Sequence, residues 1–115
     1  MKRFSEIRLN SQEKKAIKAF SRRLRKELGK DLVSIKLFGS KARGDGHKDS
    51  DIDVLVLIRK HTIDSLKVVA RVVSDVWWDY DVLLSTVTYD LEEEERNVAM
   101  GSFLFEEVKT QGVEI

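Results

Sequence analysis

The chain has 115 residues, 21 Lys and Arg against 20 Asp and Glu, no cysteine and no proline. That length suits one domain with a real core, and 42% hydrophobic residues exclude a disordered tail, while 36% charged residues call for a surface dense in mixed charge. A net charge of +1 excludes the strong field of a dedicated nucleic-acid coat, and the lack of cysteine excludes disulfides, thiolate metal sites and thiol nucleophiles. No apolar run reaches the ~20 residues of a membrane span, and the segment Met1 to Glu6 has no signal-peptide core. The expectation is one soluble, cytoplasmic domain over residues 1–115 with no membrane contact and no strong nucleic-acid binding.

Asn10 and Ser11 suit a helix start, and Glu13 can close a capping box with Asn10. Ile17, Phe20, Leu24 and Leu28 then recur at helical spacing until Gly29. Leu32 to Phe38 alternates as a strand. The glycine- and charge-rich stretch from Gly39 to Ser50 reads as a loop. Ile52 to Ile58 is the most apolar run and predicts a central strand buried on both faces. Thr62 caps a second helix carrying Ile63, Leu66, Val69, Val73 and Val76 or Trp77. A third strand is expected over Asp81 to Thr86, and a last helical stretch from Thr88, bent at Gly101, with Phe103 and Phe105 as core or partner contacts. Val113 to Ile115 can add a terminal strand. This order predicts an α/β (α+β) fold, a small mixed sheet flanked by helices. His47 and His61 read as surface residues, Trp77 and Trp78 as core with partial exposure, and Glu92 to Glu95 as a solvated helix start.

Chemistry concentrates in Gly39-Ser40-Lys41-Ala42-Arg43-Gly44 and Ser50-Asp51-Ile52-Asp53. Asp51 and Asp53, two apart on a strand, share one face, and Asp81 is expected to open the next strand, with Asp79 as the alternative. Like charges about 4 Å apart repel by roughly 4 kcal/mol at an effective dielectric of 20, so converging acids call for a divalent cation or shifted proton affinities. An all-oxygen set suits Mg²⁺ or Mn²⁺. Gly39 allows close backbone approach, the Ser40 hydroxyl and nearby N–H groups can donate to phosphate, Arg43 offers a planar fork and Lys41 a point charge.

Gly39-Ser40, ten residues and then Asp51-x-Asp53 resembles the signature of the polymerase-β-like nucleotidyltransferase superfamily. The Ala42-Arg43-Gly44 and Ser50-Asp51 context is similar to its minimal nucleotidyltransferase branch. The resemblance covers Leu32 to Ile58 and implies the family's fold. It also implies two metal ions held with a bound NTP by Asp51, Asp53 and Asp81, the last activating the acceptor, and a triphosphate site at Gly39, Ser40, Lys41 and Arg43. The implied reaction moves a nucleoside monophosphate, AMP from ATP, to a hydroxyl of a partner protein. The implied partner is a HEPN-type toxin, with this chain as antitoxin. A non-catalytic partner-binding module and a small-molecule (antibiotic) nucleotidyltransferase, completed by a homo-oligomer, are the competing readings.

Overall fold

The computed structural model describes residues 3–44 and 51–115. His47, Ser50 and the rest of the expected loop over 45–50 lie outside the described residues. The elements are α1 (Ser11–Leu28), β1 (Leu32–Phe38), α2 (Gly39–Arg43), β2 (Ile52–Ile58), α3 (Ile63–Tyr80), β3 (Leu84–Asp90), α4 (Leu91–Ala99), α5 (Phe103–Gln111) and β4 (Val113–Glu114). The mixed α+β architecture expected from the sequence is present.

Helix α1 starts at the expected box: the Asn10 side chain accepts from the Glu13 N–H, and the Glu13 carboxylate accepts from the Asn10 N–H. Thr62 and Ser65 form the corresponding box on α3. The four strands order β3-β2-β1-β4, with β1 antiparallel to β2 and β4, and β2 parallel to β3. Strand β2 is central and buried along six of its seven positions, as its unbroken apolar run predicts. A parallel neighbour needs a long crossover, and α3 supplies it. The C-terminal end of β1 therefore meets the N-terminal ends of β2 and β3 at one edge of the sheet.

Helices α1 and α3 cover one sheet face, burying Ile17, Phe20, Leu24, Val69, Val72 and Val76 against Ile35, Leu37, Val54 and Val56. The other face is covered by α5, whose Phe105 and Val108 pack on Leu55. Among the described residues, no helix is long and apolar enough to cross a membrane.

Three expected boundaries are corrected. The start of the expected loop is helical, since Gly39 to Arg43 form α2. The third strand begins at Leu84, not Asp81, because α3 keeps its period to Tyr80 and Asp81 caps it in the left-handed region at φ 56°. Aspartate tolerates that conformation better than most side chains. Thr88 lies inside β3 and opens no helix; Asp90 caps α4 instead, accepting from the Glu93 N–H at 2.8 Å. Phe105 is core, whereas Phe103 is 83% exposed.

Candidate active site

The shared sheet edge brings the glycine–serine turn and the acid pair together. Phe38, the last residue of β1, is paired with Asp53, so Gly39 begins α2 directly beside that carboxylate. Gly39 has φ 76°, and a β-carbon there would collide with an Asp53 carboxylate oxygen and lie 3.2 Å from its Cγ. The left-handed backbone favours glycine, and any side chain there would have to displace the Asp53 carboxylate. Phe38 cannot cap α2 through its side chain, and the first-turn N–H groups of any helix lack intrahelical acceptors. Ser40 is half-buried in that turn.

Asp53 is half-buried at the head of β2, and Asp51 is exposed immediately before it. Loss of hydration pushes the Asp53 proton affinity up, and the nearby charges of Asp51 and Glu107 push it further. Arg43 and a side-chain hydrogen bond from Ser85 act against that rise. Ser85 is the β3 residue registered opposite Asp53.

The two candidates for the third acid lie at the end of α3. Asp81 stands four residues before Ser85 on the exposed C-cap of α3, beside Trp77 and Trp78, and its N–H donates to the Trp77 carbonyl at 2.9 Å. Asp79 is engaged by Arg23 of α1 at 2.8 Å. Among the described residues, no three acidic or histidine side chains are grouped closely enough to hold a metal. The expected third acid, Asp81, thus sits on the helix cap that precedes β3, four residues before the register partner of Asp53.

The loop cations also divide. Lys41 is buried in the junction of α2 with α1, its ammonium 3.2 Å from the Glu13 carboxylate. Arg43 meets Glu107 of α5 at 2.6 Å. Glu107 and Ser85 were not singled out by sequence. Glu107 is 64 positions from Arg43 and Ser85 depends on strand register, so no local pattern announces either.

The donor set fits a hard divalent cation. Asp51 and Asp53 offer oxygen ligands only, and Asp53, raised in proton affinity by its acidic neighbours, is a group whose charge a cation would stabilise. Two carboxylates leave coordination positions of the kind that Mg²⁺ completes with substrate phosphates and water.

A glycine turn thus lies against an acid pair at the head of β2, on a mixed sheet with one parallel crossover. The chain belongs to the nucleotidyltransferase domain family, whose description matches residues 14–106, and it is a minimal nucleotidyltransferase with the polymerase-β-like fold. Two proteins of Methanocaldococcus jannaschii are similar to it and carry the name "Putative protein adenylyltransferase". MJ0141 is 33% identical over 100 residues, covering 86% of this chain and 94% of that protein. MJ1305 is 37% identical over 71 residues, covering 59% of this chain and 48% of that protein. A solved toxin–antitoxin structure, MntA–HpeT, matches with a TM-score of 0.54 at 26% identity, over 94% of this chain and 72% of that one.

Proposed function

We propose that this chain, as a single nucleotidyltransferase domain, transfers AMP from ATP to a hydroxyl of a separate protein, and that the acceptor is a HEPN-type toxin for which it serves as antitoxin. The observation that carries the reading is the packing of Gly39 against the Asp53 carboxylate, which joins the phosphate-binding turn to the acid pair. The names of the two similar archaeal proteins and the toxin–antitoxin character of the structural neighbour support the protein acceptor. A cytoplasmic location goes with it.

In this reading the backbone N–H groups of the first turn of α2 and the Ser40 hydroxyl hold the β- and γ-phosphates, with Arg43 beside them. Asp51 and Asp53 would hold Mg²⁺ or Mn²⁺, two ions with the bound nucleotide, which supply charge neutralisation for the phosphates. The acceptor oxygen forms a bond to the α-phosphorus as the bond to the bridging oxygen breaks. Pyrophosphate leaves with the electron pair, and the hydroxyl proton passes to solvent or to a base on the acceptor. Ser85 stands opposite Asp53 in the β2–β3 register and favours its charged form.

The test is incubation of the chain with α-labelled ATP, Mg²⁺ and a purified HEPN-type protein encoded beside it. Label should move to the partner, and not in EDTA. Transfer of label to an aminoglycoside alone would favour the small-molecule reading, and partner binding without any transfer would favour the non-catalytic module.

A further inference from the structure

We propose that Glu107 of α5 is a positioning residue of the nucleotide site, acting by fixing the Arg43 guanidinium at the C-terminal end of α2. The proposal rests on the nucleotidyltransferase reading and adds to it a residue from the C-terminal helix.

The geometry is direct. Arg43 Nη1 donates to Glu107 Oε1 at 2.6 Å, and the Glu107 side chain is only 17% exposed while that of Arg43 is 35% exposed. A short, partly shielded, charge-assisted bond of this kind holds a long side chain far better than a solvated surface pair. The support behind Glu107 is rigid. On either side of it Phe105 and Val108 are buried against Leu55 of β2, and the Phe105 ring meets Tyr89 edge-on at 5.1 Å between centroids. The helix is tied at its end by β4, where Val113 pairs with Leu37 of β1, the strand that delivers Gly39. Helix α5 thus holds one end of the pair while α2 holds the other, and both are referenced to the same strand.

Arginine loses much rotamer freedom when it binds a phosphate, and a partner that has already ordered it removes that cost from the binding step. Fixing one such side chain is worth about a threefold to tenfold gain in affinity. Glu107 also carries a negative charge that opposes a triphosphate. Across solvent and at physiological salt that repulsion is worth roughly twofold, so positioning should dominate while Arg43 is present.

This competition makes the test sharp. MgATP affinity is measured by calorimetry for the parent chain, Glu107→Ala, Arg43→Ala and the double variant, with thermal melting alongside. Glu107→Ala should weaken MgATP binding about 1.5-fold to fivefold, the positioning loss reduced by the relieved repulsion. In the Arg43→Ala background the same change should leave affinity within about twofold, because only the charge of Glu107, on the phosphates and on Asp53, still acts there. If Glu107→Ala melts too low to measure, Glu107→Gln carries the comparison with a smaller loss of the same sign pattern. Unchanged or tighter binding on loss of Glu107 from the parent, or equal weakening in both backgrounds, would overturn the proposal. A parent chain that binds MgATP but transfers nothing would sink the proposed transfer alone; one that does not bind MgATP would sink both.

Discussion

The Asp53 carboxylate stands in the space that a β-carbon on Gly39 would need. Gly39 also sits at φ 76°, where an added side chain costs about 1–2 kcal/mol in the backbone alone. Gly39→Ala should therefore do two things together: lower the melting temperature and displace the acid at the head of β2. Transfer should fall more than about tenfold, since a misplacement of about 1 Å in a reacting constellation costs on that scale or more. Melting and transfer measured on one preparation check it; a variant that melts lower yet transfers normally would separate Asp53 from the chemistry.

The acids are expected to differ sharply. Asp51→Asn and Asp53→Asn should each reduce transfer at least about a hundredfold, because lesser changes around metal ligands already cost ten- to a hundredfold. Asp53→Asn should also melt higher than the parent in EDTA at neutral pH. Burial and the charges of Asp51 and Glu107 raise the Asp53 proton affinity above its ordinary value of 3.8. Its contribution to stability is accordingly full below 3.8 and lost as pH rises through the higher folded value, and asparagine escapes that loss. The advantage should shrink as pH falls toward 3.8. Asp81→Asn, on the exposed cap of α3, should keep transfer within a few-fold of the parent; a loss as large as that of Asp53→Asn would bring Asp81 into the site.

Lys41 and Glu13 predict a stability effect in place of an affinity effect. Lys41→Met leaves the Glu13 carboxylate without its buried ammonium, although the Asn10 N–H still donates to it. A lost hydrogen bond to a charged group costs about 1.5–3 kcal/mol, so unfolding in urea should shift by that amount while MgATP affinity changes less than about twofold. A large affinity loss with unchanged stability would return Lys41 to the phosphates.

Local chemistry made much of this legible. The boxes at Asn10 and Thr62 involve partners three residues on, the β2 run announces itself by unbroken apolarity, and Gly39, Ser40, Asp51 and Asp53 lie close in sequence around one turn and one strand. The end of α3 was not legible, because Asp81 can either open a strand or cap a helix and the choice rests on how far Val69, Val72 and Val76 pull the helix along the sheet. Thr88 reads as a cap by type, yet Thr86, Val87 and Tyr89 favour extended backbone and Asp90 is the stronger cap. The ion pairs of Lys41 with Glu13 and of Arg43 with Glu107 were not legible, because only the tertiary packing of α1 and α5 brings those acids to α2.

Asp90 predicts a pH dependence of opposite sign to that of Asp53. The backbone N–H groups of Glu93 and then His61 hold its carboxyl below the ordinary 3.8. Its stabilisation is present above 3.8 and lost as pH falls through the lower folded value. Asp90→Ala should melt below the parent at neutral pH, and the two melting curves should converge as pH drops beneath 3.8. A constant gap down to the most acidic point would mean that the charge of Asp90 contributes nothing.

Two phenylalanines two residues apart should separate folding from docking. Phe105 is buried against Leu55, Val87 and Tyr89, so Phe105→Ala should cost about 3–5 kcal/mol by leaving a cavity under α5. Phe103, in the first turn of the same helix, is 83% exposed, and Met100 in the preceding turn is 85% exposed. Phe103→Ala should change stability by no more than about 0.5 kcal/mol. If this corner meets the acceptor protein, Phe103→Ala should weaken co-purification with the partner while MgATP affinity stays at the parent value. Loss of an aromatic anchor typically costs an interface more than 1 kcal/mol. Unchanged co-purification with intact stability would place the partner on another face of the domain.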